Sequence, residues 1–400
     1  MRQIEPITKI PEKVIIPLQQ HVGAENKPLV SVGDVVKIGQ KIGESGISPV
    51  HSSASGKVTA ISEYPHPFYE NVLSIIIEPD GKDASIEFKA EDYSQLEREQ
   101  IIGIIKEAGV VESGIPVHTK LSPSDVVILN GMDEAPYMTL NRALMLDFPS
   151  EIIDGLKILM KATGASRGFI GIDASNSEAT NTMNKAAVDD LNIETVPLKT
   201  TYVRGMEEFF AKAVVKREIS RGHRISNAST MTSTVGTARA AYDAVCMGKP
   251  LTETVVSVWG VKKSQNVQAK IGTPLRSVIE HCGGYKGKPK KIVVNGPMTG
   301  VAQYTDEVPV TKDVHGILVQ YKEDVTTPEI QPCINCAKCV DVCPANLLPN
   351  MLAAFANEDR FDMCKRYNIS ACVECGKCAY VCPSKIPIVQ LIKCAKEWIK

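Results

Sequence analysis

C-I-N-C-A-K-C-V-D-V-C-P runs from Cys333 to Pro344, and C-V-E-C-G-K-C-A-Y-V-C-P runs from Cys372 to Pro383. Both follow the spacing C-x-x-C-x-x-C-x-x-x-C-P, in which three thiolates of one run hold three corners of a 4Fe-4S cube and the fourth ligand comes from the other run. The spacing predicts one cluster on Cys333, Cys336, Cys339 and Cys382 and a second on Cys372, Cys375, Cys378 and Cys343. Zinc also takes four thiolates, but from two C-x-x-C knuckles separated by a longer loop. Three cysteines within seven residues cannot easily share one tetrahedron. The runs are an internal repeat that keeps Lys338 with Lys377 and Val342 with Val381, as a duplicated half-site would. The chemistry predicted from these residues is electron transfer.

Outside the runs the sequence excludes more than it proposes. Of the twelve cysteines, Cys246, Cys282, Cys364 and Cys394 show no pairing pattern, which agrees with a reducing compartment. A formal charge of -1 leaves no electrostatic footprint for nucleic acid. No apolar run is long enough to cross a membrane, and Met1 to Ile10 lacks a signal-peptide core, so a cytoplasmic chain without direct membrane insertion is expected. His21, His51 and His118 read as hydrogen-bonded structural residues. No nucleophile with a partnered base stands out, so the chain is not expected to catalyse a reaction alone.

The patterns of the 400 residues predict a multidomain α/β protein. Residues 1–90 read as short strands at Val14–Leu18, Leu29–Val32, Val35–Ile38, Lys57–Ile61 and Val72–Ile77, separated by Gly and Asp turns. Residues 91–248 alternate helix and strand: helices at Gln100–Ala108 and Ile152–Ala162, strands at Val126–Leu129 and Gly168–Asp173. That alternation implies a Rossmann-like parallel sheet. Residues 249–320 return to strands and fit a small β-grasp unit. Glu323 to Pro332 reads as a linker into a helical domain, residues 321–400. There, Leu348, Met351, Leu352 and Phe355 make one apolar helical stripe, and Ile388, Leu391, Ile392 and Ala395 another.

S-V-G-D-V-V-K-I-G-Q-K-I-G from Ser31 and S-S-A-S-G-K-V-T-A-I from Ser52 resemble a barrel-sandwich hybrid of the lipoyl type. The tip Ser45–Ser55 has no carrier lysine, so the module is read as structural. With I-P-L-Q-Q-H-V-G-A at Ile16–Ala24, P-V-H-S-S-A-S-G-K-V at Pro49–Val58, I-G-T-P-L at Ile271–Leu275, N-G-P-M-T-G at Asn295–Gly300 and the cysteine runs, nearly the whole chain resembles the C subunit of the Rnf complex. The resemblance implies four parts: the hybrid, an FMN/NADH-binding Rossmann-like domain, an SLBB-like β-grasp and a two-cluster ferredoxin-like domain. It also implies other protein subunits of an electron-transfer complex as partners, at the inner face of the cell membrane.

The resemblance breaks at the flavin. Family members carry G-x-G-G-A-x-F-P-T, where missing side chains let backbone approach the cofactor. Here the segment is Val111 to Lys120, shorter, with one glycine and with Glu112 in the phosphate loop. N-x-x-E-C-E-P appears as Asn130 to Pro136 with alanine before the proline. Y-P-Q-G-x-E-K-Q-L appears as Tyr202 to Phe210, and N-N-V-G-T as Ser233 to Thr237 without either amide. Lys120, Asn130, Asp133 and Glu207 still match and are the remaining FMN/NADH candidates. The expected function is an iron-sulfur electron-transfer subunit of a multi-subunit oxidoreductase whose own flavin and NADH site is lost. The alternatives are an FMN-dependent NADH dehydrogenase entry module and a non-catalytic docking scaffold.

Overall fold

The computed structural model describes residues 4–133, 135–199, 207–216, 229–325 and 329–399, the side chains of 207 and 208 excepted. Near the N-terminus, Val14–Pro17, Gly56–Pro65, Asn71–Pro79 and Val35–Val36 form one sheet, and Lys27–Pro28, Lys41–Glu44 and Val50–His51 a second. Ile16, Leu18, Ile42, Val58, Ile75 and Ile77 are sealed between them. This is the expected hybrid, with one strand misplaced. Leu29 and Val32 are exposed in bends and turns, and the pairing passes to Lys41–Glu44, whose lone large apolar residue, Ile42, supplies the burial.

The α/β domain is built on four parallel strands, Val126–Asn130, Arg167–Asp173, Ile193–Leu198 and Thr230–Thr234, lying in the order third, second, first, fourth. The first strand is buried throughout, so its V-V-I-L reads as a continuous apolar run. Val127 and Leu129 face the helices Arg98–Glu107, Pro149–Thr163 and Val235–Cys246. Val126 and Ile128 face Phe210 and Ala211 of the helix Glu207–Val215. Gly155 brings two helices together: a Cβ there would lie 1.9 Å from the Ala238 carbonyl oxygen. Strand order reverses between Val126–Asn130 and Thr230–Thr234, and the crevice beyond their carboxyl ends is where such sheets place ligands.

Glu253–Trp259, Gln265–Lys270, Lys291–Val294, Val301–Gln303 and Gly316–Gln320 make the next sheet, covered by the helix Leu275–His281. Its edge is completed by Ile4–Pro6, which pairs in parallel with Gln265–Lys270. Three residues ending in proline carry no alternation, so their place in a sheet formed far along the chain has no local signal.

In the C-terminal domain the helices Pro349–Asn357, Phe361–Arg366 and Ile388–Ile399 pack around Leu352, Cys364, Ile388, Ile392 and Ala395. Leu348 departs from its expected stripe, standing exposed as the residue before the first helix. Thr326, Thr327 and Pro328 of the expected linker lie outside the described residues.

Two cysteine cavities and a crevice above the parallel sheet

The repeat in sequence is a repeat in backbone. Asn335 and Glu374 stand at φ 54°, Ala337 and Gly376 at φ 59° and 80°, and Asn346 and Lys385 at φ 52° and 54°. Each pair holds the same position relative to the two runs, the last two residues beyond their prolines. Asparagine tolerates the left-handed region, but Ala337, Glu374 and Lys385 cost about 1–2 kcal/mol each there, so their places in register with Gly376, Asn335 and Asn346 mark a geometry held against local preference. Left-handed residues set among right-handed ones turn successive amides toward a common hollow, as in anion-binding nests. Glu374 N donates to Cys372 Sγ and Leu347 N to Cys343 Sγ, both at 3.4 Å.

Two hollows result. One, of about 340 Å³, is lined by Cys333, Cys336, Cys339 and Cys382, with Ile334, Ile386 and Leu391 around them. The other, smaller, is lined by Cys343, Cys372, Cys375 and Cys378. Each therefore collects three thiols of one run and the fourth of the other. Their surroundings differ: Cys333 and Cys336 are exposed, whereas Cys375 and Cys378 are buried. Lys396 of the last helix clamps the second run, donating to the Cys372 carbonyl at 2.6 Å and to Glu374 at 2.7 Å. The same run packs on Asn295–Gly300: a Cβ on Gly376 would meet the Met298 carbonyl oxygen at 3.0 Å.

A separate cavity of about 550 Å³ opens at the crevice of the parallel sheet, where the hybrid, the α/β domain and the β-grasp unit meet. Val111, Glu112, Ser113 and Gly114 of the segment Val111 to Lys120 line it. The strands Val111–Glu112 and Ile115–Pro116 pair antiparallel across a two-residue turn, with Ser113 at φ 51° and Gly114 at φ 75°. Positive φ at both positions is a type I′ hairpin turn, for which glycine at the second place is favoured. Val22 N holds the turn through the Gly114 carbonyl at 2.8 Å.

The hairpin carries Glu112 to the start of the helix Val235–Cys246. Its Oε2 accepts from Thr234 N at 3.1 Å, from Thr237 Oγ1 at 2.5 Å and from Ser233 Oγ, while Oε1 accepts from Lys120 Nζ at 2.7 Å. Burial alone would raise the carboxyl; the Lys120 ammonium and the two hydroxyls outweigh it and hold Glu112 below the ordinary carboxylate range. The helix end adds its own partial positive charge. Beneath the hairpin, the buried Lys312 Nζ donates to the carbonyls of Gly109 at 2.7 Å and Pro49 at 3.0 Å, and burial drops its pKa to about 7.

Of the four flavin candidates, Lys120 is joined to Glu112. Asn130 closes the turn after the first strand, its Oδ1 accepting from Met132 N at 3.0 Å. Asp133 lies by the amides of Arg142 and Asn141; burial outweighs them and lifts its pKa to about 7. Glu207 begins a helix but its side chain, like the segment 202–206, lies outside the described residues. Ser233 and Thr237, noted in the sequence only for missing amides, prove to be hydroxyl donors.

Four sequence profiles match along the chain: the RnfC barrel-sandwich hybrid domain over residues 2–82, the Nuo51 FMN-binding domain over 105–243, the SLBB domain over 259–302 and a 4Fe-4S dicluster domain over 332–386. The chain is 38% identical over 406 residues to the C subunit of the proton-translocating ferredoxin:NAD(+) oxidoreductase complex of Clostridium ljungdahlii, covering 98% of this chain and 89% of the relative. The chain belongs to the RnfC family. The C subunit of the Na(+)-translocating ferredoxin:NAD(+) oxidoreductase complex of Acetobacterium woodii is 38% identical, with 98% and 92% covered. That of the ion-translocating oxidoreductase complex of Methanosarcina acetivorans is 39% identical, with 98% and 93% covered.

Proposed function

We propose that this RnfC-family chain is an iron-sulfur electron-transfer subunit of an ion-translocating ferredoxin:NAD oxidoreductase complex, working without a flavin of its own. The observation that carries it is the pair of hollows, each gathering four thiols in the crossed pattern. Two 4Fe-4S clusters bound there would supply single-electron transfer. Cys333, Cys336, Cys339 and Cys382 would hold one, and Cys372, Cys375, Cys378 and Cys343 the other. The inward amides and the N–H···S contacts offset the negative charge of such clusters, and the differing exposure of the two cysteine sets gives them different polarity. Exposed Cys333 and Cys336 suit exchange with another protein of the complex. Among the described residues no helix is long and apolar enough to cross a membrane, so other subunits would bring the chain to one.

The crevice residues do not fit FMN. A phosphate set on the donors at Ser233, Thr234 and Thr237 would lie against the Glu112 carboxylate, which already uses them. Anaerobic reconstitution tests the reading: about 8 iron per chain, four to each cube, and no flavin are expected. Zinc bound in place of iron would refute it.

A second reading, an FMN-dependent NADH entry module, draws on the profile match over 105–243 and on the open cavity beside the crevice. Stoichiometric flavin released by acid, with bleaching of cluster absorbance by NADH, would establish it.

A further inference from the structure

We propose that Glu112 is an internal anion: the chain's own carboxylate fills a phosphate-sized subsite at the carboxyl end of the parallel sheet, and removing it opens that subsite to phosphate monoesters. The inference rests on the flavin-free reading above and assigns its cause to one side chain.

Three independent features meet at this point. The strand order reverses here, so the crevice is where the fold itself concentrates ligand-binding groups. The donors are complete for an anion: one backbone N–H, two hydroxyls and one ammonium converge on the two oxygens of a single carboxylate. The carboxylate is delivered by a rigid support. The hairpin is closed by a type I′ turn that Val22 pins, and the chain just before it is tied down at Gly109 by the buried Lys312. Little adjustment is then open to Glu112, whose side chain is 12% exposed. With the side chain cut back to a methyl group, the space it leaves joins the adjoining cavity of about 550 Å³, which Glu112, Thr234 and Thr237 line, and phosphate oxygens can take the places of the two carboxylate oxygens.

The experiment uses the full chain with its clusters in place and compares wild type, Glu112→Ala and Glu112→Gln. Thermal unfolding is followed in inorganic phosphate and in chloride at equal ionic strength. Glu112→Ala is expected to melt several degrees higher in phosphate than in chloride, with wild type and the space-filling Glu112→Gln indifferent to the anion. If the alanine variant folds poorly in chloride, phosphate in the lysis buffer is expected to restore its yield. An alanine variant that responds to neither treatment, or a wild type that shows the same phosphate response, overturns the inference. Iron and flavin are counted on the same samples. A wild type lacking iron, or carrying flavin, refutes the functional reading, whereas the phosphate response of Glu112→Ala reports on Glu112 alone.

Discussion

The cysteine repeat and the crevice of the α/β domain both turn hydrogen-bond donors inward, and they differ in what the chain itself puts there. At Cys333–Cys343 and Cys372–Cys382, paired left-handed residues shape two hollows lined by thiols and apolar side chains. Above the parallel sheet, Glu112 occupies the donors of Ser233, Thr234 and Thr237 and takes the Lys120 charge as well. The first region is built to receive an anionic group from outside. The second satisfies itself, as buried polar groups must when no ligand serves them.

The sharpest way to break this comparison is to remove one crossed thiol. Cys382→Ser should lose the cluster bound by the first run while sparing the second, lowering iron from about 8 to about 4 per chain; loss of the second cluster with the first spared, told apart by their paramagnetic resonance signals, would show that the runs do not share ligands. Next in size is the crevice. Glu112→Ala deprives the Lys120 ammonium, whose side chain is 17% exposed, of this carboxylate, and about 3–5 kcal/mol of stability should go with it. A cost below about 1 kcal/mol by denaturant titration, the scale of an exposed ion pair, would mean that the pair is not the anchor described here.

A smaller effect belongs to the repeat. Gly376→Ala places a Cβ at positive φ and against the Met298 carbonyl, so a loss of about 1–2 kcal/mol is expected. An unchanged unfolding midpoint would put the backbone geometry of the second run in doubt. The smallest concerns Asp133, raised by burial from 3.8 to about 7. Between those values the folded protein keeps a proton that the unfolded chain releases, so stability falls as pH rises through that window. Asp133→Asn should flatten that slope and melt a few degrees higher than wild type above the window. A variant less stable than wild type there would show that the charged form is the one the fold favours.

How much of this could be read beforehand follows from how local each signal is. Cysteine spacing is contained in twelve residues, and the four profile matches fall along the chain in the order that the motifs suggested. The left-handed positions were not legible, because Ala337 and Glu374 have no preference for that conformation and only their shared place in the repeat explains them. Glu112 was visible as a misfit in a phosphate loop. Its partners were not: Ser233 and Thr237 lie 121 and 125 residues away, and only the parallel sheet brings them together. Lys312 ran against the rule that lysines are solvated, since its ammonium is held by two carbonyls distant in sequence. The strand Ile4–Pro6 was hidden for the same reason.

In the proposed division the thiols carry clusters while the crevice is filled by the chain itself. Iron and acid-released flavin measured on one anaerobically purified sample of the full chain test both halves together. About 8 iron and no flavin per chain are expected; one flavin per chain, with or without iron, would contradict the account.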